Sequence, residues 1–164
     1  MIQIDRVLEE VFEELDHWVC ARNVERALEG GLQLAPCEIR VLGQGALFEL
    51  GIGLTLEATQ DLDVYANYQH AVEVQFRQLL KARNIVLDPM GHEVWMPPET
   101  QYDLIHQGRF VTAKVAQAEY ILLSKAARAP GKNRALLAEY LAKGATPLFL
   151  ALAERHRVNL EIFL

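Results

Sequence analysis

Two aspartates at alternate positions, Asp61 and Asp63, are the residues whose spacing most directly suggests chemistry. They enter an apolar run, Leu62 to Tyr65, that has the composition of a β-strand. Alternate strand residues point to the same face, so the two carboxylates lie side by side. Carboxylates held this close repel each other unless a cation lies between them or one holds a proton. Because hard divalent ions such as Mg²⁺ take oxygen ligands and keep phosphate oxygens in their remaining positions, the pair raises the question of a metal-bound nucleotide.

The elements that must position this pair have the order of an α+β protein. Residues 5–19 carry apolar side chains at three- and four-residue steps, which predicts an amphipathic helix. Its other side is interpreted as a solvated acidic face made of Glu9, Glu10, Glu13, Glu14 and Asp16. Further helices are predicted over 22–29, 69–83, 118–128, 132–143 and from Thr146-Pro147 onward, and strands over 38–42, 62–65, 85–87, 94–96, 102–106 and 110–115.

A turn of small residues lies between the first strand and the aspartates. Gly43, Gln44 and Gly45 interrupt the strand alternation, and residues 46–50 are typical of one or two helical turns. The chain is divided into an N-terminal helical segment (1–37), an α/β core (38–117) and a C-terminal helical region packed on the core (118–164). This order, with mixed strands and helices before a helical tail, predicts the α+β class.

Composition narrows the class of protein further. The chain has 164 residues, 51% of them hydrophobic, and a net charge of −6, which suits a globular domain without a broad DNA-binding surface. Local binding stays open, because Lys and Arg cluster between Lys125 and Arg134. The sequence has no apolar run long enough for a membrane span and no signal-peptide pattern at its start, so we expect a cytoplasmic protein. Cys20 and Cys37 are expected to be free thiols.

The motifs together resemble a known family. Residues 43–47 (GQGAL), followed by residues 59–64 (TQDLDV), resemble the signature of the nucleotidyltransferase fold, the DNA polymerase beta superfamily. The similarity is to its minimal bacterial members, among them abortive-infection and antitoxin-type nucleotidyltransferases. Residues 118–134, which contain Ser124-Lys125, are similar to a helix pair of those domains. The resemblance spans residues 38–143 and implies a mixed central sheet, with an N-terminal helix and a C-terminal helical subdomain added to it.

The resemblance implies a role for each part of the motif. Asp61 and Asp63 would hold Mg²⁺, which bridges the phosphates of an NTP. The turn formed by Gly43, Gln44 and Gly45 would bring backbone N–H groups near these phosphates. Thr59, which opens the aspartate motif, is assigned to nucleotide binding with this turn.

Two further roles complete the implied site. Lys125 is the first candidate to neutralise phosphate, and Arg128 lies one turn further along the same helix face. A third carboxylate usually completes the set as a ligand and a base for the attacking hydroxyl. Asp88, at the end of the predicted strand 85–87, is its first candidate, with Asp103 and Glu73 as alternatives. Asp88 followed by Pro89 is equally typical of a turn.

The resemblance therefore implies a Mg²⁺-dependent enzyme that transfers a nucleotidyl group from NTP to a hydroxyl on a protein or RNA, within a toxin–antitoxin or phage-defence system. The alternative is a catalytically degenerate module that binds nucleotide or a partner protein. Gln44 between the glycines, Ala58 in place of an arginine and Asn133 in place of an aspartate favour the alternative. A third interpretation is that the aspartate pair is incidental in an ordinary α+β scaffold.

One apolar C-terminal segment can be interpreted in two ways. Residues 148–152 (LFLAL) are most simply the core-facing side of a helix. The alternative is a contact with a partner protein or with a second copy in a homo-oligomer.

Overall fold

A five-stranded mixed sheet and six helices form the part of the chain that this computed structural model describes, residues 7–50 and 61–164. The strands are β1 (Cys37–Leu42), β2 (Asp61–Ala66), β3 (Val86–Leu87), β4 (Tyr102–Gln107) and β5 (Val111–Ala116). The helices are α1 (Val7–Leu28), α2 (Gly43–Leu50), α3 (His70–Lys81), α4 (Ala118–Arg128), α5 (Arg134–Lys143) and α6 (Pro147–Arg155). The predicted α+β class is confirmed.

The sheet order, β3-β2-β1-β5-β4, decides where the candidate residues meet. β1 pairs antiparallel with β2 and parallel with β5, while β2 and β3 are parallel and β4 and β5 form an antiparallel hairpin. In the β1–β2 register, Leu42 lies opposite Asp63. The turn that follows Leu42 is therefore placed beside the aspartates, although Asp61 comes 18 positions after Gly43 in the chain.

The N-terminal residues form one helix, where the sequence predicted two, over 5–19 and 22–29. Residues 20–23 contain neither glycine nor proline, so nothing in the backbone ends the helix there. Asn23 is buried and bonds to the chain further on: its Nδ2 donates to the Leu34 carbonyl (3.1 Å), and its Oδ1 accepts from the Leu34 N–H (2.6 Å). The helix ends before Gly30, which adopts a φ of 71°.

The first helix buries its apolar stripe against the sheet and α3. Phe12 and Phe76 are both fully buried, and their rings stack with centroids 5.5 Å apart. The same core contains residues of the sheet and of the C-terminal helices, so all three predicted segments contribute to one hydrophobic cluster. The segment boundaries at 37 and 117 stay a prediction.

Asp16 is not part of a solvated acidic face. Only 7% of its surface is exposed, and its carboxylate accepts the backbone N–H groups of Arg109 (3.2 Å), Phe110 (2.7 Å) and Val111 (2.9 Å). The prediction was wrong for this residue because the β4–β5 turn packs on α1 at this position. The backbone N–H groups of the turn need an acceptor there, and Asp16 provides it. The other acidic residues of this face, Glu9, Glu10, Glu13 and Glu14, are exposed as predicted.

Residues 94–96 do not form the predicted strand. The chain leaves β3, passes through the 3-10 turn Gly91–Glu93 and continues without a strand partner toward Pro97. A Cβ atom on Gly91 would lie 2.9 Å from the Cα of Asp63, so this segment crosses close over β2 rather than beside it. The carbonyl of Trp95 accepts the Ser124 hydroxyl instead of a strand N–H.

The C-terminal helices follow the predicted order. Thr146 is the N-cap of α6, and its hydroxyl accepts the N–H of Phe149 at 3.2 Å. Phe149 and Leu152 are buried, so the segment 148–152 faces the core, while Leu148 and Leu150 are 40% and 46% exposed. Across the described residues, no helix has both the length and the apolar character of a membrane span.

Candidate functional site

The glycine turn and the second aspartate are in direct contact. Gly43 begins α2 directly after β1, and its φ of 66° lies in the left-handed region that favours glycine. A Cβ atom on Gly43 would collide with the carboxylate of Asp63. Because Gly43 has no side chain, the Asp63 carboxylate can pack against the N-terminus of α2.

Gly43→Ala is expected to destabilise the protein by about 2 kcal/mol, because the left-handed backbone and the collision with Asp63 both penalise a methyl group. Thermal and urea unfolding measure the effect, with an expected fall in Tm of about 4–8 °C. Gly131→Ala is the matched control, since Gly131 has open space around its Cβ position. Equal melting temperatures for the two variants would contradict the packing of Gly43 on Asp63.

Asp88, which directly follows β3, lies beside Asp63 near the start of the neighbouring strand β2. The Asp88 N–H donates to the Leu62 carbonyl (3.0 Å), which carries the β2–β3 pairing one residue past β3. Its Oδ1 accepts the N–H of Met90 at 2.8 Å, as in an Asx turn. Asp88 therefore has the predicted turn conformation and also interacts with Asp63.

The Asp63 carboxyl group is electrostatically strained. Burial raises its pKa, and the charge and hydrogen bond of Asp88 and the charge of Asp61 add to the effect, bringing the pKa of Asp63 to about 6. Lys125 acts in the opposite direction and lowers this pKa. The charges of Asp88 and Asp61 thus both disfavour the ionised form of Asp63, which is the electrostatic situation that a cation relieves.

Lys125 lines the same cleft as Asp63. Burial and the charge of Lys132 lower the pKa of Lys125, and the charge of Asp63 raises it. Its Nζ donates to the Oδ1 of Asn133 (3.4 Å), while the Asn133 Nδ2 donates to the Ala129 carbonyl (2.9 Å). α4 and the turn after it therefore hold a half-buried cation in this cleft.

A cleft of about 450 Å³ lies between these groups. Its lining includes the acidic residues Asp63 and Glu93 and the basic residues Lys125, Arg128 and Lys132. The volume lies within the range of small-molecule sites, roughly 300–1,000 Å³. A lining that contains both carboxylates and cations suits a ligand that carries a metal ion together with phosphate oxygens.

Trp95 lines this cleft, and its ring contacts the Arg128 side chain. The Arg128 guanidinium lies 4.7 Å from the centroid of the Trp95 ring, and the His156 ring meets that ring edge-on at 5.8 Å. His156 in turn contacts Glu99 through Nε2 and Oε1 (2.5 Å). From the sequence, residues 95–98 are predicted to pack against the sheet, with a ligand-facing loop as the alternative. Trp95 does line the cleft, and so does Glu93, which no sequence motif singles out.

The predicted site residues divide into three groups. Gly43, Asp63, Lys125 and Arg128 line the cleft, whereas Asp61 and Asp88 are not among its lining residues but act electrostatically on Asp63. Gly45 packs against the sheet instead, since a Cβ there would lie 2.8 Å from the Leu62 Cδ1. The third group, Thr59 and the side chain of Gln44, lies outside the described residues.

The alternative third carboxylates are engaged elsewhere. Asp103 is exposed on β4 and accepts a hydrogen bond from Gln117 at 3.1 Å. Glu73 lies on α3 and pairs with Arg77 at 3.0 Å. Neither residue lines the cleft, so Asp88 is the candidate that the fold brings to Asp63.

The carboxylates around Asp63 supply oxygen atoms, which are the ligand type that Mg²⁺ takes. Within residues 7–50 and 61–164, no three His, Cys, Asp or Glu side chains form a group that could hold a metal ion. Mg²⁺ is commonly bound through one or two carboxylates together with water and substrate phosphates. Asp63 with either Asp61 or Asp88 satisfies that requirement.

Comparisons of the chain with models of known protein families, with curated proteins and with solved structures found no match.

Proposed function

We propose that this protein is a nucleotidyltransferase-like protein that binds Mg²⁺ and NTP in the cleft between β2 and α4. The interaction of the Asp63 and Asp88 carboxylates, in a cleft that Asp63 shares with the half-buried Lys125, carries this proposal. The alternation of Asp61 and Asp63 on one strand and the left-handed Gly43 beside them support it. These residues are also those that the family resemblance assigns to the site.

Each residue has a distinct role in the proposed reaction. Asp61 and Asp63 are the protein ligands for Mg²⁺, and the bound ion supplies charge stabilisation for the triphosphate oxygens. Lys125 and Arg128, which line the same cleft, balance the phosphate charge. The left-handed backbone at Gly43 lets the start of α2 approach the phosphates closely.

The transfer step follows from this placement. An acceptor hydroxyl oxygen attacks the α-phosphorus of the NTP, a new P–O bond forms, and the bond from the α-phosphorus to the bridging oxygen breaks. Pyrophosphate leaves with the bonding electron pair, and the proton of the hydroxyl passes to Asp88. Because phosphoryl transfer needs little covalent chemistry from the protein, positioning and charge stabilisation supply most of the catalysis.

A binding module without chemistry is the second candidate function. The lack of a three-carboxylate group among the described residues favours it, since transfer enzymes of the resembled family usually have a third acid. In this case the same cleft binds Mg²⁺ and NTP, and Asp88 has only its turn role.

Thermal unfolding with Mg²⁺ and each NTP tests the proposal. A ligand at about 100 times its Kd stabilises the folded state by about 2.7 kcal/mol, so we expect Tm to rise by about 5–10 °C with both present. Lys125→Met should abolish most of the rise, while Lys143→Met, which removes an exposed lysine of α5, should retain it. No rise for the unmodified protein would overturn the site. A rise without pyrophosphate release from any acceptor offered would favour the binding module.

A further inference from the structure

A second pocket shares two side chains, Trp95 and Arg128, with the candidate cleft. Its other lining residues come from the last turn of α4 and from the segment 156–162, which follows α6. Its volume is about 360 Å³, within the range of roughly 300–1,000 Å³ that small-molecule sites have. We call it the α4–α6 pocket. Because Asp63 and Lys125 do not line it, it is a separate place for a ligand.

The charged side chains that line the α4–α6 pocket are basic. Arg128 and Arg157 line it together with His156, and its described lining contains no Asp or Glu. Across the part of the chain that the structure describes, neither arginine forms an ion pair with a carboxylate. The Arg128 guanidinium lies on the Trp95 ring instead, and Arg157 is exposed. Two guanidinium groups are thus available to an anion in one pocket.

The carboxylates around this pocket do not cancel its charge. Glu99 contacts the His156 ring, but it also pairs with Arg155 at 3.2 Å, so its negative charge is balanced by a cation outside the lining. Glu154 and Glu161 are the acidic residues closest in sequence to the second arginine, and both are exposed and outside the lining. The two arginines therefore give the pocket a local positive charge, on a protein whose net charge is −6.

Arg157 occupies a backbone position that favours glycine. Its φ is 56°, in the left-handed region, and it directly follows His156, the C-cap residue of α6. The Val158 N–H donates to the Ala153 carbonyl (2.8 Å), which is the hydrogen bond that closes a helix C-terminus of the Schellman type. Glycine is the usual residue at this position, because a side chain strains the left-handed backbone. The chain has a long cationic side chain there instead, which its backbone alone does not explain.

The rest of the lining suits the organic part of a ligand. Val158 and Ile162 line the pocket together with Ala126 and Ala127, and Ile162 is 41% exposed. Burial of a carbon skeleton against such side chains is favourable. Guanidinium groups bind phosphate through paired, charge-assisted hydrogen bonds. Because the pocket contains side chains of both kinds, it suits a small organic phosphate better than an inorganic anion.

We propose that the α4–α6 pocket is a second ligand site, which binds a small phosphate monoester with its phosphate group on Arg128 and Arg157 and its organic part on Ile162. The site itself does not depend on the proposed function, but one consequence does. Because Arg128 also lines the cleft, the monoester and an NTP compete for the same guanidinium. Each ligand then lowers the affinity for the other by the same factor.

Isothermal titration calorimetry of the full chain with phenyl phosphate and with inorganic phosphate tests the proposal. Phenyl phosphate should bind more tightly, because its ring adds apolar contact. Arg157→Gly should weaken its binding at least about tenfold without lowering Tm, since glycine suits the left-handed backbone. Arg157→Asn, which also tolerates this backbone, should give the same loss. Arg22→Met, which removes an exposed arginine of α1, should bind as the unmodified protein does.

A variant of the cleft shows which pocket binds the probe. Lys132 lines the cleft but not the α4–α6 pocket, so Lys132→Met should leave the affinity for phenyl phosphate unchanged. Loss of binding in Lys132→Met, with no change in Arg157→Gly, would place phenyl phosphate in the cleft and overturn the second site. Lack of binding to the unmodified protein would overturn it as well.

The second site and the proposed function can fail separately. Arg157→Gly should retain the rise in Tm with Mg²⁺ and NTP, since Arg157 does not line the cleft. Saturating phenyl phosphate should reduce the further rise that Mg²⁺ and NTP cause in the unmodified protein, and an undiminished rise would overturn the competition for Arg128. If the protein bound phenyl phosphate but showed no rise with Mg²⁺ and NTP, this would overturn the proposed function and support the second site.

Discussion

Asp63→Asn is expected to abolish the stabilisation by Mg²⁺ and NTP while making the protein without ligands more stable. Asparagine keeps the shape of the side chain and one oxygen acceptor, but it carries no charge. The amide cannot replace a carboxylate as a ligand for a hard cation, so the affinity for Mg²⁺ falls. If the protein is an enzyme, nucleotidyl transfer should fall by at least about a hundredfold, because a group that stabilises charge in the transition state is lost.

The stabilising effect of the same substitution follows from the pKa of Asp63. Burial, Asp88 and Asp61 raise this pKa from 3.8 to about 6, so the charged carboxylate is disfavoured in the folded state. A shift of about two pKa units corresponds to about 3 kcal/mol, and solvent screening of this partly exposed group reduces the expected gain to about 1 kcal/mol. Removal of the charge therefore stabilises a site that is strained in the absence of a cation.

The gain should depend on pH with a definite sign. Because the folded-state pKa of Asp63 is raised, its charge costs stability above pH 6, and the cost disappears as the pH falls below about 4. The Tm difference between Asp63→Asn and the unmodified protein should be largest near pH 8 and vanish near pH 4. Asp103→Asn, at an exposed carboxylate away from the cleft, is the matched control. If Asp63→Asn were less stable than the unmodified protein at pH 8, this would contradict the electrostatic cost of the Asp63 charge in the folded state.

Local pattern was sufficient to predict most elements of the sheet. Residues 38–42 and 62–65 alternate between apolar and polar side chains because one face of the sheet is buried, and they lie within β1 and β2. The hairpin of β4 and β5 was likewise visible from two strand-like runs around Gln107-Gly108-Arg109. The strand order was not visible in this way, since it depends on contacts between residues distant in sequence.

Local sequence pattern also predicted part of the candidate site, but not the contacts between residues distant in sequence. Asp61, Asp63 and the glycine turn have a recognisable spacing, and Lys125 follows in a helix with its own pattern. The contact of Asp63 with Asp88, by contrast, depends on the pairing of β2 with β3, which spans only two residues. The sequence could not decide between packing and a ligand-facing position for Trp95, because its position depends on Arg128 and His156, which approach it from two different helices or their ends.

Asp16 shows most clearly what the sequence pattern leaves out. It lies in a run of acidic residues, but its spacing, four residues after Phe12 and three before Val19, places it on the buried face of α1. Its partners are backbone N–H groups more than 90 residues further along the chain, and a sequence gives no sign of backbone donors. The nearby Gly108 has no side chain, and a Cβ there would collide with the Asp16 carboxylate.

Asp16→Ala is therefore expected to be among the most destabilising substitutions in the protein, at about 3 kcal/mol. The substitution leaves three N–H groups of the β4–β5 turn without their acceptor, and two of these hydrogen bonds are short, at 2.7 and 2.9 Å. A hydrogen bond to a charged group contributes about 1.5–3 kcal/mol, and water entering the turn recovers part of the loss. For a chain of this size, Tm should fall by about 6–12 °C.

The effect of Asp16 should also disappear at low pH. Burial raises the pKa of Asp16, but the three backbone hydrogen bonds and the nearby His106 outweigh it, so the pKa lies below its ordinary value of 3.8. A lowered pKa means that the charged carboxylate stabilises the folded state above about pH 4, and that this contribution is lost as the pH falls through the folded-state pKa. Urea unfolding at pH 7 and near pH 3 should therefore show a smaller difference between Asp16→Ala and the unmodified protein at the lower pH.

Two further variants separate the hydrogen bonds from the charge of the acidic helix. Glu13→Ala removes an exposed carboxylate three residues away on α1, and it should change the free energy of unfolding by less than about 0.5 kcal/mol. Asp16→Asn keeps one acceptor oxygen but turns an NH₂ group toward the turn donors, so it should lie between alanine and the unmodified protein. If Glu13→Ala and Asp16→Ala were equally mild, the turn would not depend on Asp16, and the long-range contact of α1 with the β4–β5 turn would contribute little to the fold.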